Sequence, residues 1–460
     1  MKNLFIKLTP IMLLFLLFSC KKEDEFLSAK PNQSLVIPAT LDDYENLLNN
    51  NRIFNQYTDP SLGHVSSDEY YVTDALFNVA NTNTERNAYI WAKDIYQGET
   101  FGDSDWDVPY QQVYYSNVIL EGISKITPTT AQQVQFNRIK GSALFFRAWA
   151  FNALVQNYAM PYDPVTSATD LGIPLRLTSD LNVKSTRPTV KETYERVVSD
   201  LKLATQLLPE NSNQKTLPSG IAVLGLLSRV YLTMGDFTNA YDAANKYLQK
   251  NSVLTNYNTL TPRTFAIHTT FLSEDIFHTS FQTSYAMAGR SKALIDPSFV
   301  ASYDNNDLRK TLMFKLASGV YHFVGSYDYR GFPYSGIATD EMYLNRAECS
   351  ARAGNTDAAM ADLNNLLKTR WKTGSVFTPY QAANADIALK QILAERKKEL
   401  FFRSIRWTDI RRLNKEKEFA VTLSRTINGK TYILPPNDKR FALPIPNSEI
   451  QLSGLQQNER

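Results

Sequence analysis

Cysteine and histidine are nearly missing from this chain: two of the first and four of the second in 460 residues. Cys20 directly follows an N-terminal leader and Cys349 sits alone in a helical pattern, so no internal disulfide is expected and stability must come from packing. His64, His268, His278 and His322 lack metal-ligand spacing. After residue 18 no apolar run reaches the roughly 18 residues that a membrane-spanning helix needs. Gly-x-Ser-x-Gly, His-Glu-x-x-His and a Walker phosphate loop are all absent, which removes the commonest signatures of serine hydrolases, zinc proteases and nucleotide hydrolases. Strong charge is lacking too. The net value is +3, and without Lys2 and Lys7 it is +1, so neither nucleic acid nor an anionic surface is implied as a partner. Near-neutrality also argues against a strongly acidic polysaccharide unless a local basic loop overrides it. Asp103, Asp105 and Asp107 imitate the start of a calcium loop, but Val108 stands where glycine is required and Tyr114 where the bidentate glutamate belongs. Neither cofactor nor metal is expected.

What is present begins with the leader. Lys2 and Lys7 precede an apolar core, Ile11 to Phe18, which is too short to span a bilayer and is closed by Ser19-Cys20. That pattern is a secretory signal over 1–19, and its ending resembles the lipobox of bacterial lipoproteins, in which the cysteine thiol is diacylated and the new amine acylated. The alternative is an ordinary signal with an incidental cysteine. The residues that follow, Lys21 to Glu25 and then Ser28 to Ser34, cannot bury enough apolar surface to fold and read as a tether over 20–34. An acidic cluster behind the lipid cysteine also resembles the export signal of surface lipoproteins of the Bacteroidetes.

Beyond the tether the chain is 43% hydrophobic, enough for a large core, and helical periodicity dominates. Thr40-Leu41-Asp42-Asp43 opens a helix with Leu41, Tyr44, Leu47 and Leu48 on one face. Val113 to Ile126, Gln133 to Tyr158 and Pro188 to Leu208 continue the pattern, the last two ending before Pro161 and Pro209. The sharpest signal is a repeat. Residues 219–250 and 343–363 each read as two helices about a Gly235-Asp236 or Gly354-Asn355 turn, with alanines (Ala240, Ala243, Ala244; Ala358, Ala359, Ala361) on the second helix. Small residues there let the helices approach, as in tetratricopeptide units, which must stack to bury their faces. Residues 133–158 with 188–208, and 384–402 with 404–413, are weaker candidates. Two zones, 51–107 and 251–336, lack this periodicity and are rich in aromatics, glycine and proline; they predict loops and short strands over a helical frame.

The segment Arg147 to Tyr158 with Pro161, then Gly172-Ile173-Pro174-Leu175, resembles the hallmark of the SusD/RagB family of nutrient-binding lipoproteins. So do Arg187-Pro188-Thr189-Val190, Glu341 to Glu348, Glu395 to Arg412, and the tail Leu443-Pro444-Ile445-Pro446 with Gln456-Gln457-Asn458. The similarity runs in order over nearly the whole mature chain. One departure is visible: many members carry Glu-Gly where this chain has Arg403-Ser404. The resemblance implies a mainly α fold, a tetratricopeptide-like scaffold with aromatic insertions and a few short strands, forming one domain over 35–460. Helical units are expected around 133–250 and 337–413. It implies an outer-membrane, lipid-anchored protein exposed on the cell surface, which captures oligosaccharide, or in some members peptide, and delivers it to a SusC-like TonB-dependent barrel without cleaving it.

Sugar rings offer apolar C–H faces to aromatic side chains, and their hydroxyls call for carboxylates, amides and guanidinium groups. Asp68, Tyr70, Tyr71 and Trp91 in the first zone, with Tyr327, Tyr329 and Arg330 in the second, supply that mixture; the competing place for Trp91 and half of these tyrosines is the core. The charged face Glu395 to Arg412 interleaves both signs and reads as structural ion pairs, and Arg147 and Trp149 as helix packing. Two other classes remain in view. A lipid-anchored helical scaffold would show a concave groove without a ligand pocket, and a surface glycoside hydrolase would need two carboxylates, drawn from Asp68, Glu69 and Asp105.

Overall fold

The structure is a computed structural model describing residues 38–99, 104–261, 267, 270–289 and 291–460. The leader, Cys20, the tether, Asp103 and His268 lie outside the described residues. The protein is mainly α, with 17 α-helices and six short strands among the described residues. Ten helices form the frame: α1 (Leu41–Leu48), α2 (Ser104–Ile123), α3 (Gln133–Tyr158), α4 (Val190–Leu207), α5 (Gly220–Met234), α6 (Phe237–Lys250), α7 (Thr339–Arg352), α8 (Thr356–Lys368), α9 (Ala385–Glu399) and α10 (Arg406–Leu413).

Local chemistry sets their ends. Thr40 and Asp43 form a capping box on α1, as Thr189 and Glu192 do on α4. Nearly all of α3 beyond Ile139 is buried, so it is a central strut with no solvent stripe. It packs between α2 and α4. A Cβ on Gly141 would lie 2.8 Å from Leu208, so the missing side chain is what lets α4 come this close. Arg147 on α3 donates to Asp200 on α4 at 2.8 and 2.9 Å and to Asn117 on α2 at 2.9 Å, tying three helices together.

The repeat has the predicted form. Gly235 (φ +74°) ends α5 in the left-handed region, and the Asp236 side chain caps α6; Gly354 (φ +82°) joins α7 to α8. Buried Ala240 and Ala244 on α6 and Ala359 on α8 keep each pair close. The stack continues because α6 packs on α7 and α7 on α9. The expected hairpin of 384–402 with 404–413 is looser than the other units: α9 rests chiefly on α7, and α10 on α5 and on the helix Leu62–Ser66.

The two loop zones hold more helix than their sequence shows. Residues 51–107 contain Asn51–Phe54, Leu62–Ser66, Asp74–Asn78 and Asn83–Tyr89, and residues 251–336 contain Pro297–Ala301 and Leu308–Met313. Elements of four to seven residues are too short to display a 3.6-residue period; most are begun by side-chain caps such as Thr73, Thr82, Asp296 and Asp307. Strands β1 (Asp275–Phe277), β2 (Phe314–Ala317), β3 (Val320–Phe323), β4 (Ile337–Ala338), β5 (Leu423–Ile427) and β6 (Lys430–Leu434) make three antiparallel pairs: β1 with β4, β2 with β3, β5 with β6. Isolated bridges Asp59↔Phe281 and Tyr71↔Leu294 sew the first zone to the second. The β5–β6 turn is Asn428-Gly429 with φ of +49° and +74°, the residues a tight hairpin demands.

The charged run from Glu395 faces inward. Arg396 meets Asp409 at 2.8 Å and Arg412 meets Glu348 at 2.6 Å, while Arg309 and Arg370 share Glu399 at 2.9 and 2.6 Å. Its role is structural, as the interleaved signs predict, but most partners are distant in sequence. Arg403, in the departing Arg403-Ser404 pair, meets Asp340 at 2.5 Å and lies over the Tyr327 and Tyr334 rings at 4.7 and 4.9 Å. Ser404 has φ +58°, a conformation natural to the glycine that many family members carry there.

Candidate functional site

Where the first zone, the second zone, the end of α9 and the β5–β6 hairpin meet, they leave a cavity of about 490 Å³. This lies within the roughly 300–1,000 Å³ of small-ligand sites. Four of the seven predicted residues, Asp68, Tyr70, Tyr71 and Trp91, line it. Tyr71 is 38% exposed, and its backbone exchanges two 2.9 Å hydrogen bonds with Leu294, so an open ring is held on a fixed strand. Phe299, partly exposed on the short helix Pro297–Ala301, is a second aromatic wall.

The other two rings serve as floor. Trp91 is 2% exposed and its indole N–H donates to the Ser66 carbonyl at 2.9 Å, so it borders the cavity without offering an open face. Tyr70 is buried, and its hydroxyl donates to the Val65 carbonyl at 3.2 Å. Burial pushes its phenol well above the ordinary pKa, leaving a neutral donor. Arg425 of β5 lies over Tyr89 at 3.6 Å and over Trp91 at 4.6 Å.

Asp68 accepts from Arg406 Nε and Nη2 at 2.6 and 2.9 Å and from Lys397 Nζ at 2.9 Å. Burial alone would raise its pKa, but the Arg406 guanidinium and then Lys397 outweigh it and hold the carboxyl well below the usual range. Glu69 accepts from the Phe402 backbone N–H at 2.7 Å and is paired with the His64 ring at 2.9 Å. Asp105 accepts from the backbone N–H groups of Ser61 and Leu62 at 2.6 and 2.5 Å. Each carboxylate that a hydrolase reading would draw on is already committed.

Tyr327, Tyr329 and Arg330 do not join this cavity. Tyr327 is 3% exposed; its hydroxyl lies 2.7 Å from that of Tyr257, 2.8 Å from Glu274 and 3.0 Å from Asp340, which makes it part of the interior ion network. Tyr329 and Arg330 form a surface ledge. The guanidinium lies over Tyr329 and Phe332 at 5.3 and 4.7 Å, and Asp328 accepts from it at 3.1 and 2.7 Å. Phe332 also lines a separate, mostly apolar cavity of about 350 Å³ with Phe281, Phe323 and Phe402. Phe401 borders the first cavity and Phe402 the second, so one strained dipeptide (Phe402, φ +60°) separates the two.

The ledge is anchored by His278, whose ring nitrogens lie 2.6 Å from Asp275 and 3.0 Å from Asp328. Burial would lower its pKa, but the two carboxylates outweigh that and raise it to about 9. The protonated ring therefore stabilises the fold fully below its unfolded value of 6.5, and this contribution is lost as pH rises through about 9. Denaturant titrations from pH ~6 to ~10 should show a loss on the order of 3 kcal/mol that His278→Gln lacks. Equal pH slopes in the two proteins would refute the charged clamp.

Sequence reasoning passed over Lys397, Arg406, Phe299 and Arg425. Only Arg425 had a local signal, the Asn428-Gly429 hairpin that brings it to the site. A different crevice, bordered by Asp59, Trp149 and Arg229, has about 70 Å³. That is well below the roughly 300 Å³ at which small-ligand sites begin.

Known proteins share this architecture. A SusD superfamily protein from Bacteroides thetaiotaomicron superposes with a TM-score of 0.71 at 23% identity, covering 92% of this chain and 100% of that one. A SusD-like carbohydrate binding protein from Bacteroides vulgatus gives 0.66 at 19% identity, covering 90% and 97%. The surface glycan-binding protein A of Bacteroides uniformis gives 0.66 at 14%, covering 91% and 100%. In sequence, the SusD-like protein P2 of Formosa agariphila is 27% identical over 152 residues, which is 32% of this chain and 28% of that relative's length. Residues 25–232 match the SusD-like family model described as "Starch-binding associating with outer membrane", and residues 333–460 match the model of the SusD family. Two family models in sequence order, and solved structures that follow nine-tenths of the chain, agree with the helical frame: the protein belongs to the SusD/RagB family.

Proposed function

We propose that the protein is a cell-surface glycan-binding lipoprotein that captures an oligosaccharide and passes it to a SusC-like TonB-dependent barrel. The observation that carries the reading is the 490 Å³ cavity, where an open tyrosine on a fixed strand stands beside Phe299, Asp68, Lys397 and Arg425. Aromatic faces and rigid charged donors are what a sugar needs, and Asp68, Lys397 and Arg425 are each oriented by protein contacts. The family description places such proteins at the outer membrane, and relatives of this fold are named as carbohydrate- and glycan-binding. Binding without cleavage is supported by the commitments of Asp68, Glu69 and Asp105, each of which already accepts from a neighbouring donor. Residues 35–460 would form the binding domain and 20–34 its tether.

Glycan-array screening of the protein lacking residues 1–20, followed by calorimetry, tests this directly. Tyr71→Ala should weaken the best oligosaccharide about tenfold, the loss of a stacking contact plus buried apolar area, with the unfolding midpoint unchanged. Full affinity in that variant would move the site elsewhere. Peptide ligands in place of glycans would select the peptide-binding branch of the family, and product release from any bound polymer would sink the binding-only reading. Co-purification with a TonB-dependent barrel checks the partner.

A further inference from the structure

Arg425 borders the cavity with no carboxylate in ion-pair contact among the described residues. Its terminal nitrogens donate instead to the backbone carbonyls of Val65, Ser67 and Tyr89, and its charge lies against the Tyr89 and Trp91 rings. Carbonyl dipoles and ring quadrupoles orient a guanidinium but leave its net charge uncompensated. Five more deeply buried arginines are charge-paired. Arg309, Arg370, Arg396, Arg403 and Arg412 each hold a carboxylate at 2.5 to 2.8 Å. Arg187, Arg411 and Arg460 also have no carboxylate in ion-pair contact among the described residues, but none of them lines this cavity.

Lys397 adds a second unmatched charge. Its one ion-pair partner, Asp68, is already held by both Arg406 nitrogens, so a single carboxylate faces two cations and two ammonium donors have no protein acceptor among the described residues. The remaining acids on the wall are occupied. Glu69 takes the Phe402 N–H and faces His64, while Asp296 accepts from the Ser298 N–H and hydroxyl as the cap of Pro297–Ala301. What a ligand meets between β5 and α9 is therefore two cations, Arg425 held by carbonyls alone and Lys397 sharing one carboxylate with Arg406.

We propose that this cavity selects an anionic substituent on the saccharide, a uronate carboxylate or a sulfate ester, seated between Arg425 and Lys397. This rests on the reading of the cavity as a saccharide site. Such a group would give Arg425 a carboxylate or sulfate in direct contact and Lys397 a second acceptor, through charge-assisted hydrogen bonds from both cations. The near-neutral charge of the whole chain is no obstacle, because two cations in contact with a bound group outweigh charges more than a Debye length away.

Matched probes test it by calorimetry on the full binding domain: an oligogalacturonate against its methyl ester, and a sulfated galacto-oligosaccharide against its desulfated form. At least one charged probe should bind about tenfold or more tightly than its neutral partner, and that preference should collapse between about 50 mM and about 0.5 M sodium chloride. The arm that shows the preference identifies carboxylate or sulfate. Lys397→Gln, which leaves Asp68 paired with Arg406, should reduce the ratio of charged to neutral affinity several-fold. Because Arg425 also ties backbone carbonyls, Arg425→Gln is informative only with a native unfolding midpoint, and the salt dependence of the unmutated protein carries the test without it. Equal binding of charged and neutral partners overturns the anion proposal and leaves the saccharide site standing. Binding of no saccharide in these sets or on an array overturns both.

Discussion

Arg370→Met should destabilise the protein by about 3–5 kcal/mol, the cost of removing one partner from a buried ion pair. Arg370 is 0% exposed and holds two acids at once: Glu399 at 2.8 and 2.6 Å, and Glu274 at 3.1 and 3.0 Å. It also donates to the Thr255 carbonyl at 2.8 Å and lies 4.1 Å above Tyr257. Methionine fills much of the volume and leaves Glu274 and Glu399 near each other without the shared cation. Burial already pushes Glu274 up to about 7, in spite of Arg370. In the variant Glu274 should titrate higher still and Glu399, which Arg370 and Arg309 hold below the ordinary value against its burial, should rise, and an upward shift in the folded state costs stability as pH climbs through it. The defect should therefore be mildest near pH ~5 and worst near pH ~8, and Arg370→Met with Glu399→Gln should recover part of it. Denaturant unfolding followed by circular dichroism measures both effects. An unchanged midpoint at neutral pH would show that the network does not hold the helical stack to the second loop zone.

Cys20→Ser should release the protein from the membrane fraction altogether. One acyl chain gives only marginal membrane affinity at about 0.8 kcal/mol per buried methylene, whereas a multiply acylated cysteine anchors lastingly. The variant should fold, bind its saccharide with unchanged affinity, since the cavity is built from residues 68 to 425, and fail to support uptake. Membrane fractionation, calorimetry and growth on the ligand report these three outcomes separately. Retention of Cys20→Ser in the membrane pellet would mean that something other than the cysteine holds the protein there.

Much of the helical frame was legible because its determinants are local. Thr40 with Asp43 and Thr189 with Glu192 announce helix starts, Pro161 and Pro209 forbid continuation, and Gly235 and Gly354 sit where a left-handed turn joins two helices. The short helices of the loop zones escaped detection because four to seven residues carry a cap but no period. The site was half legible. Composition pointed to the stretch with Asp68 and Tyr71, yet nothing near Tyr71 in the chain distinguishes it from Tyr70, and nothing near Tyr327 says that its hydroxyl is held by Glu274 and Asp340.

The sequence by itself determined the helical class, the paired repeat units, the aromatic zones between them and the resemblance to one family, because caps, turns and periodicity act over a few residues. Only the tertiary structure decided which aromatic stays open and which charge stays unmatched. Tyr71 is held in place by its pairing with Leu294, Trp91 is closed in by Trp407, Leu423, Leu434 and Phe441 from more than 300 positions away, and Asp68 is neutralised by Arg406 from equally far. Exposure and charge balance are properties of the neighbours a fold assembles, and those neighbours come from distant parts of the chain.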